Sequence, residues 1–250
     1  MQADVFEPRF YRKWVGCGRL AGFTVREDET DLAIKASLPL QEAARKLVIK
    51  YRGELLAYAE DHPRFVTSLG PIKAAGEAPE VARLMAAAAA AYRVGPMAAV
   101  AGAIAELVGR GLLCSMCEAG IEAPEVIVEN GGDCFIKTGQ PAVVSLYAGD
   151  ESPFSEKLKL RIHTASGPRG VCTSSGTVGH SMSLGNADAI VAVAHSAALA
   201  DAAATAIANS VKRPEDIDKA LEKEKQQGDL LGLLIAVGEH LGAWGEIEIT

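Results

Sequence analysis

Pro124 divides this sequence into two regimes of hydrophobic patterning, and that change constrains the fold more than any other feature. Upstream, Pro39 opens a helical stretch to about Glu60, with Ala43, Leu47, Leu55 and Tyr58 on one face and Asp61-His62-Pro63 as its stop. Pro79 opens a second helix through the alanine run at 86–91. Gly95-Pro96 breaks it, and a third helix is expected to run to about Leu113. Downstream, Glu125–Glu129, Cys134–Thr138 and Ala142–Tyr147 read as strands, separated by Asn130-Gly131-Gly132-Asp133 and Gly139-Gln140-Pro141. Lys157–His163 alternates as a half-buried strand does, and Arg169–Thr173 and Ala187–Ala194 read as further strands. A helix from Ala198 to about Val211, a charged amphipathic helix over Pro214–Gln226, and closing strands at Leu231–Val237 and Gly245–Ile249 complete the chain.

Three short strands, Tyr11–Val15, Arg19–Arg26 and Asp31–Ser37, precede the first helix. Strands, helices, strands, then helices with more strands predict an α+β fold of mixed, mostly antiparallel sheet layers packed with helices. No linker rich in Pro, Gly and Ser interrupts the sequence and no repeat appears, so one domain is expected over residues 1–250.

The bulk properties narrow the function classes. With 49% hydrophobic and 23% charged residues, the chain of 250 has the composition of a globular protein and can bury a core without disulfides. The formal net charge is −7 and no Lys/Arg stripe forms, which argues against nucleic acid as a partner. The first residues carry an acid where a secretion signal has basic ones, and no uncharged apolar run approaches the ~18–20 residues that span a bilayer. A cytoplasmic location with reduced thiols is therefore expected for the five cysteines.

The polar chemistry is concentrated late in the chain. Asp201 and Thr205 stand at i, i+4 on one helix face, and two oxygen donors there suit a hard cation such as Mg²⁺; the competing reading is that Asp201 is a helix-cap residue. Thr173-Ser174-Ser175-Gly176 is a small hydroxylic loop able to cradle a phosphate, or a plain polar loop, and His180 follows as a candidate general acid or base. It has neither the Gly-Lys-Ser/Thr of a phosphate-binding loop nor the Gly-x-Ser-x-Gly of a hydrolase elbow. Asn130-Gly131-Gly132-Asp133 is a strong turn signal that also lets a ligand approach the backbone. Cys114-x-x-Cys117 raises a redox or iron–sulfur reading, but it falls at a helix C-terminus and has no second pair to complete a cluster.

Taken together, Gly95-Pro-Met-Ala-Ala-Val-Ala-Gly102-Ala-Ile-Ala-Glu106, Glu129-Asn-Gly-Gly-Asp133, Cys172-Thr-Ser-Ser-Gly176 with His180, and Ala200-Asp-Ala-Ala-Ala-Thr205 resemble the ApbE-like superfamily, in the family's order. That superfamily is best known for FAD:protein FMN transferases, and the chain looks closest to an uncharacterised prokaryotic branch of it. The resemblance implies binding of FAD, FMN or a related pyrophosphate nucleotide, with Mg²⁺ held by Asp201, Thr205 and the backbone carbonyl of Ala98. It implies a flavin site lined by Asn130, Gly131, Gly132 and Asp133 and by Thr173, Ser174, Ser175 and Gly176, with His180 assisting phosphoryl transfer to a hydroxyl of an acceptor protein. Independently of the resemblance, the alanine-rich second helix suits close packing against a copy of itself in a homo-oligomer, or equally an internal position. Where the family's helix opens with an Asp and carries a Lys before its glycine, this chain has Gly95 and Ala101. The alternative that follows is a non-catalytic descendant binding a different small molecule or a partner protein.

Overall fold

The computed structural model describes residues 19–146, 152–155, 158–174 and 187–250. In chain order these form β1 (Ala21–Glu27), β2 (Thr30–Ala36), α1 (Gln41–Asp61), α2 (Pro63–Thr67), α3 (Glu80–Tyr92), a 3₁₀ turn (Pro96–Ala99) and α4 (Val100–Glu118). There follow β3 (Val126–Asn130), β4 (Asp133–Lys137), β5 (Ala142–Ser145), β6 (Lys159–Ile162), β7 (Arg169–Ser174), β8 (Ala189–Ala194) and α5 (Ala197–Ser210). A second 3₁₀ turn (Pro214–Asp216), α6 (Ile217–Gln227), β9 (Gly232–Val237), β10 (His240–Gly245) and β11 (Glu248–Ile249) close the chain.

The expected α+β layers are present. Eight strands form one sheet in the order β1-β2-β3-β4-β7-β8-β9-β10, with every neighbouring pair antiparallel. The alternation of side chains along a strand assigns its two faces. Val128 and its partner Phe135 face the helices, whereas the next pair, Ile127 and Ile136, face the second sheet, β11-β6-β5. Both faces are therefore covered, which explains why β8 and β9 are buried along their whole length and read as continuous apolar runs. On the helix side α4 lies over β3 and β4, α5 over β7 and β8, and α3 against α5.

Several boundaries differ from expectation. The third helix continues through Cys114 and Cys117 to Glu118, because Met116 is fully buried and keeps the apolar stripe going beyond Leu113. The closing strand expected at Gly245–Ile249 is split: His240–Gly245 is the strand that pairs with β9, and only Glu248–Ile249 pairs with β6. Gly242 hid it, since the close approach of Ile217 and Leu221 leaves no room there for the β-branched residue that marks a strand. Pro96–Glu118, with its turn, is long and apolar enough to cross a membrane by length and composition, but it is the core helix of this fold and over half of it is buried. The expected strand Tyr11–Val15 lies outside the described residues.

Two glycines in helices bracket the packing. A Cβ on Gly53 meets nothing within 4 Å, whereas one on Gly109 lies 2.2 Å from Phe135 Cδ1. Gly53→Ala is expected to stabilise the fold by about 0.5–1 kcal/mol through lost chain entropy. Gly109→Ala is expected to cost about 1–3 kcal/mol by overpacking. Urea denaturation of the two variants should give shifts of opposite sign.

Candidate functional site

Two helices begin at the same place. The first N–H groups of any helix lack intrahelical partners, and α4 and α5 each supply the acceptor that the other needs. Asp201 of α5 presents Oδ2 to the Gly102 N–H of α4 at 2.9 Å. Glu106 of α4, fully buried, accepts at Oε2 from Ser196 Oγ at 2.6 Å, Ala197 N–H at 2.8 Å and Ala198 N–H at 3.3 Å. Its Oε1 pairs with Arg110 Nη2 at 2.6 Å. Ser196 is itself the N-cap of α5, accepting from Leu199 N–H.

The approach is close enough to require glycine. A Cβ on Gly102 would sit 2.3 Å from the Ala197 carbonyl oxygen, and one on Gly170 of β7 would sit 2.3 Å from Ala197 Cα. Cys172 Sγ donates to the Ala197 carbonyl at 3.2 Å from the same strand. Sheet and both helix starts are thus drawn together at Ala197.

The β3–β4 hairpin delivers the remaining polar groups. Gly131 and Gly132 take φ of 67° and 104°, the two-residue turn that Asn-Gly-Gly-Asp favours. Asn130 Nδ2 donates to the Ala101 carbonyl at 3.1 Å, and Gly132 N–H donates to Glu129 Oε1 at 2.9 Å. Asp133 points beneath the helices and is only 7% exposed, with Oδ1 lacking a partner among the described residues. The turn reading of this segment is therefore right, and the turn also places an acid in the site.

Asp133 and Asp201 form a close acidic pair. Burial, then the Asp201 charge, pushes the Asp133 carboxyl well above its ordinary range, with Cys172 and the Thr173 backbone pulling the other way. Burial pushes Asp201 up to about 7 against its bonds from Gly102 and Ala101. Cys134 and Cys172 are raised by burial first, which keeps both thiols protonated; Cys134 lies on the opposite face of the sheet from Cys172.

Of the predicted residues, the structure brings together Asp201 and the Asn130–Asp133 hairpin, the latter through Asp133 and the Asn130 bond to Ala101. Thr205 stands one turn beyond Asp201 on the half-buried side of α5, and Ala98 sits in the 3₁₀ turn that packs on α5. Thr173 and Ser174 end β7, with Ser174 Oγ buried and without a partner among the described residues. Ser175, Gly176 and His180 lie outside the described residues. Cys114 and Cys117 are exposed, and Glu118 raises the Cys114 thiol. Among the described residues no group of three His, Cys, Asp or Glu gathers to hold a metal. Sequence reasoning missed the capping role of Glu106, for which Ser196 ahead of an alanine run was the available signal.

These features can be set beside known proteins. A family model described as AbpE bacteria matches residues 12–241. The chain belongs to that family. Among relatives of this AbpE bacteria member, a UPF0280 protein of Methanopyrus kandleri is 44% identical over 224 residues, covering 87% of this chain and 88% of its own. A UPF0280 protein of Methanococcus aeolicus is 43% identical over 208 residues, covering 82% and 81%. The crystal structure of Pseudomonas stutzeri flavinyl transferase ApbE, apo form, shares the fold at TM-score 0.58 and 14% identity, over 90% of this chain and 94% of that one. The chain is an ApbE-like superfamily member, as its motifs led us to expect.

Two outcomes follow from the geometry. Glu106→Ala strands the α5 N-terminal donors and is expected to cost about 3 kcal/mol, with Glu106→Gln recovering part of it, in urea denaturation. The second concerns pH. Because Asp201 ionises near 7 when folded and at 3.8 when unfolded, the folded protein binds more protons between those values. Stability is expected to fall as pH rises through that window in metal-free buffer, and Asp201→Asn should flatten the fall; denaturant midpoints at pH 5 and 8 check it.

Proposed function

We propose that this site binds a flavin or related pyrophosphate-bearing nucleotide together with Mg²⁺, and that it supports transfer of the FMN half of FAD to a protein hydroxyl in the cytoplasm. The observation that carries the reading is the seat of Asp201 at the meeting of two helix N-termini, one turn from Thr205 and beside the turn bearing Ala98. The Pseudomonas stutzeri neighbour that shares the fold is a flavinyl transferase, which points the same way.

The donors fit a hard cation. Carboxylate, hydroxyl and carbonyl oxygens are the ligands Mg²⁺ prefers, completed by water and substrate phosphates. Gly102 N–H, the group that a helix extended backward would direct at the Ala98 carbonyl, donates to Asp201. The orphaned Asp133 oxygen is a further acceptor, and a cation would offset the burial that raises Asp201 and favour its ionised form. With few carboxylates at hand, the cation would be held by Asp201, Thr205 and Ala98 only in company with phosphate. Once bound, Mg²⁺ supplies neutralisation of the pyrophosphate charge. The chain's own part is to orient: Asn130 ties the hairpin to α4, and Glu106 fixes the start of α5 and thereby Asp201.

A specific observation favours a second reading, a descendant that binds without transferring. A Cβ on Gly95 would lie 1.9 Å from the Ser68 carbonyl oxygen, so the backbone at Ser68 fills the place where the family's Asp would project. Calorimetry with FAD tests both. Micromolar affinity that strengthens with Mg²⁺ and drops at least ~10-fold in Asp201→Ala supports the site. FMN transfer to an acceptor then separates transfer from binding alone, and absence of FAD binding under either condition rejects the flavin reading and leaves the descendant that takes a different small molecule or a partner protein.

A further inference from the structure

The outward face of α1 carries large apolar side chains in the middle of a polar stripe. At about 100° per residue, Glu42, Lys46, Ile49, Gly53, Leu56 and Glu60 fall within about 80° of one another, and all six are exposed. Ala44, Val48, Tyr51, Leu55 and Tyr58 occupy the opposite side and are buried. Ile49 is 48% exposed and Leu56 54%. They flank Gly53, on which a Cβ would meet nothing within 4 Å, so the chain's own packing does not impose the glycine. In a helix interior it costs about 0.5–1 kcal/mol relative to alanine. The alanine-rich α3 takes the internal position instead, with Ala86, Ala88 and Ala89 buried and the helix packed on α5.

The charges on this face run against their own helix. A helix favours acids at its start and bases at its end. Yet α1 ends in Glu60 and Asp61 with no base in its last turn, while Arg45 and Lys46 stand in its first half. Arg45 pairs with Glu27, whereas Lys46, Glu60 and Asp61 form no ion pair among the described residues. The arrangement is symmetric about Gly53. Lys46 and Glu60 are each seven residues from it, and Arg45 and Asp61 each eight.

That symmetry is what an isologous contact requires, in which one patch meets itself across a two-fold axis. With the axis at Gly53 and the helices antiparallel, Lys46 faces Glu60 of the second copy and Arg45 faces its Asp61. Ile49 and Leu56, four and three residues from Gly53, come side by side across the axis. Glycine meets glycine at the crossing, which lets the helix axes approach at the near end of the ~8–10 Å range. A parallel pair would set Lys46 on Lys46 and Glu60 on Glu60, like on like. We propose that α1 is the self-association surface of this protein, a two-fold antiparallel pair of α1 helices packed through Ile49, Gly53 and Leu56, with Lys46 and Glu60 fixing its register. One helix of 21 residues, about 30 Å long, makes a contact at the small end of the interface range, so the dimer is reversible and dilute protein is monomeric. The surface shares no residue with the candidate nucleotide site and does not rest on the flavin reading.

Sedimentation velocity of the full-length chain, in reductant and from about 1 to about 200 µM, tests it. A monomer–dimer equilibrium is expected within that range, and it should weaken between about 0.1 and about 1 M salt. Leu56→Asp should leave only monomer. Lys46→Glu and Glu60→Lys should each weaken the dimer at least ~10-fold, because two symmetric attractions become repulsions. The Lys46→Glu/Glu60→Lys double variant should recover it, and so should an equimolar mixture of the two single variants. All four positions are on the exposed face, and unchanged circular dichroism shows that the variants remain folded. Association that survives Leu56→Asp, or that neither the double variant nor the mixture recovers, overturns the proposal. A wild type monomeric at the highest concentration also overturns it and leaves the face to a different protein.

Discussion

Everything at the candidate site depends on two helices capping each other. Asp201 and Gly102 are 99 residues apart in sequence, yet the bond between them caps the start of α4. The bond has a counterpart in Glu106, which covers the start of α5. Neither cap works without the other, because each carboxylate is carried by the helix whose own end needs an acceptor. Gly102 is the condition for both: any side chain there would collide with the Ala197 backbone. A buried charged hydrogen bond is worth about 1.5–3 kcal/mol, so the pair holds the junction firmly enough to position an acid.

The sheet is fitted to that junction from below. Gly170 lets β7 rise against Ala197, Cys172 satisfies the Ala197 carbonyl, and β4 brings Asp133 in from the adjacent strand. Antiparallel pairing fixes which of these reach the helices. Cys134 and Cys172 sit on adjacent strands, but Cys134 is paired with Val171 and so shares its face, leaving Cys172 on the other. The reactive-looking cysteines are thereby divided between a structural contact, a second core and an exposed helix end.

The layers were legible in the sequence because period-2 and period-3.6 patterns are local, and the strands of the central sheet other than β10 fall within a few residues of where the pattern puts them. What was not legible is long-range. Asp201 read as either a metal ligand or a cap, and it caps not its own helix but α4, which no spacing within 200–205 encodes. Glu106 looked like one acid in an apolar helix until Ser196 met it. Glu224 was hidden by company: in a helix as charged as α6, nothing but the tertiary packing distinguishes the buried acid from its exposed neighbours.

Charge balance decides how such a site can treat an anion. The cations carried by α4, β4 and β7 are engaged: Arg110 with Glu106, Lys137 with the Thr164 carbonyl, and Arg169 with Glu246. Residue 101, ahead of Gly102, is an alanine and brings no further cation. A pyrophosphate brought against Asp133 and Asp201 meets like charge once either carboxyl has lost its proton, an ionisation that burial opposes in both. The helix N-termini offset some of it, but their leading N–H groups already serve Asp201 and Glu106. Under the proposed function the divalent cation therefore carries most of the neutralisation that a lysine would otherwise share, which makes nucleotide affinity in this chain steeply dependent on the metal.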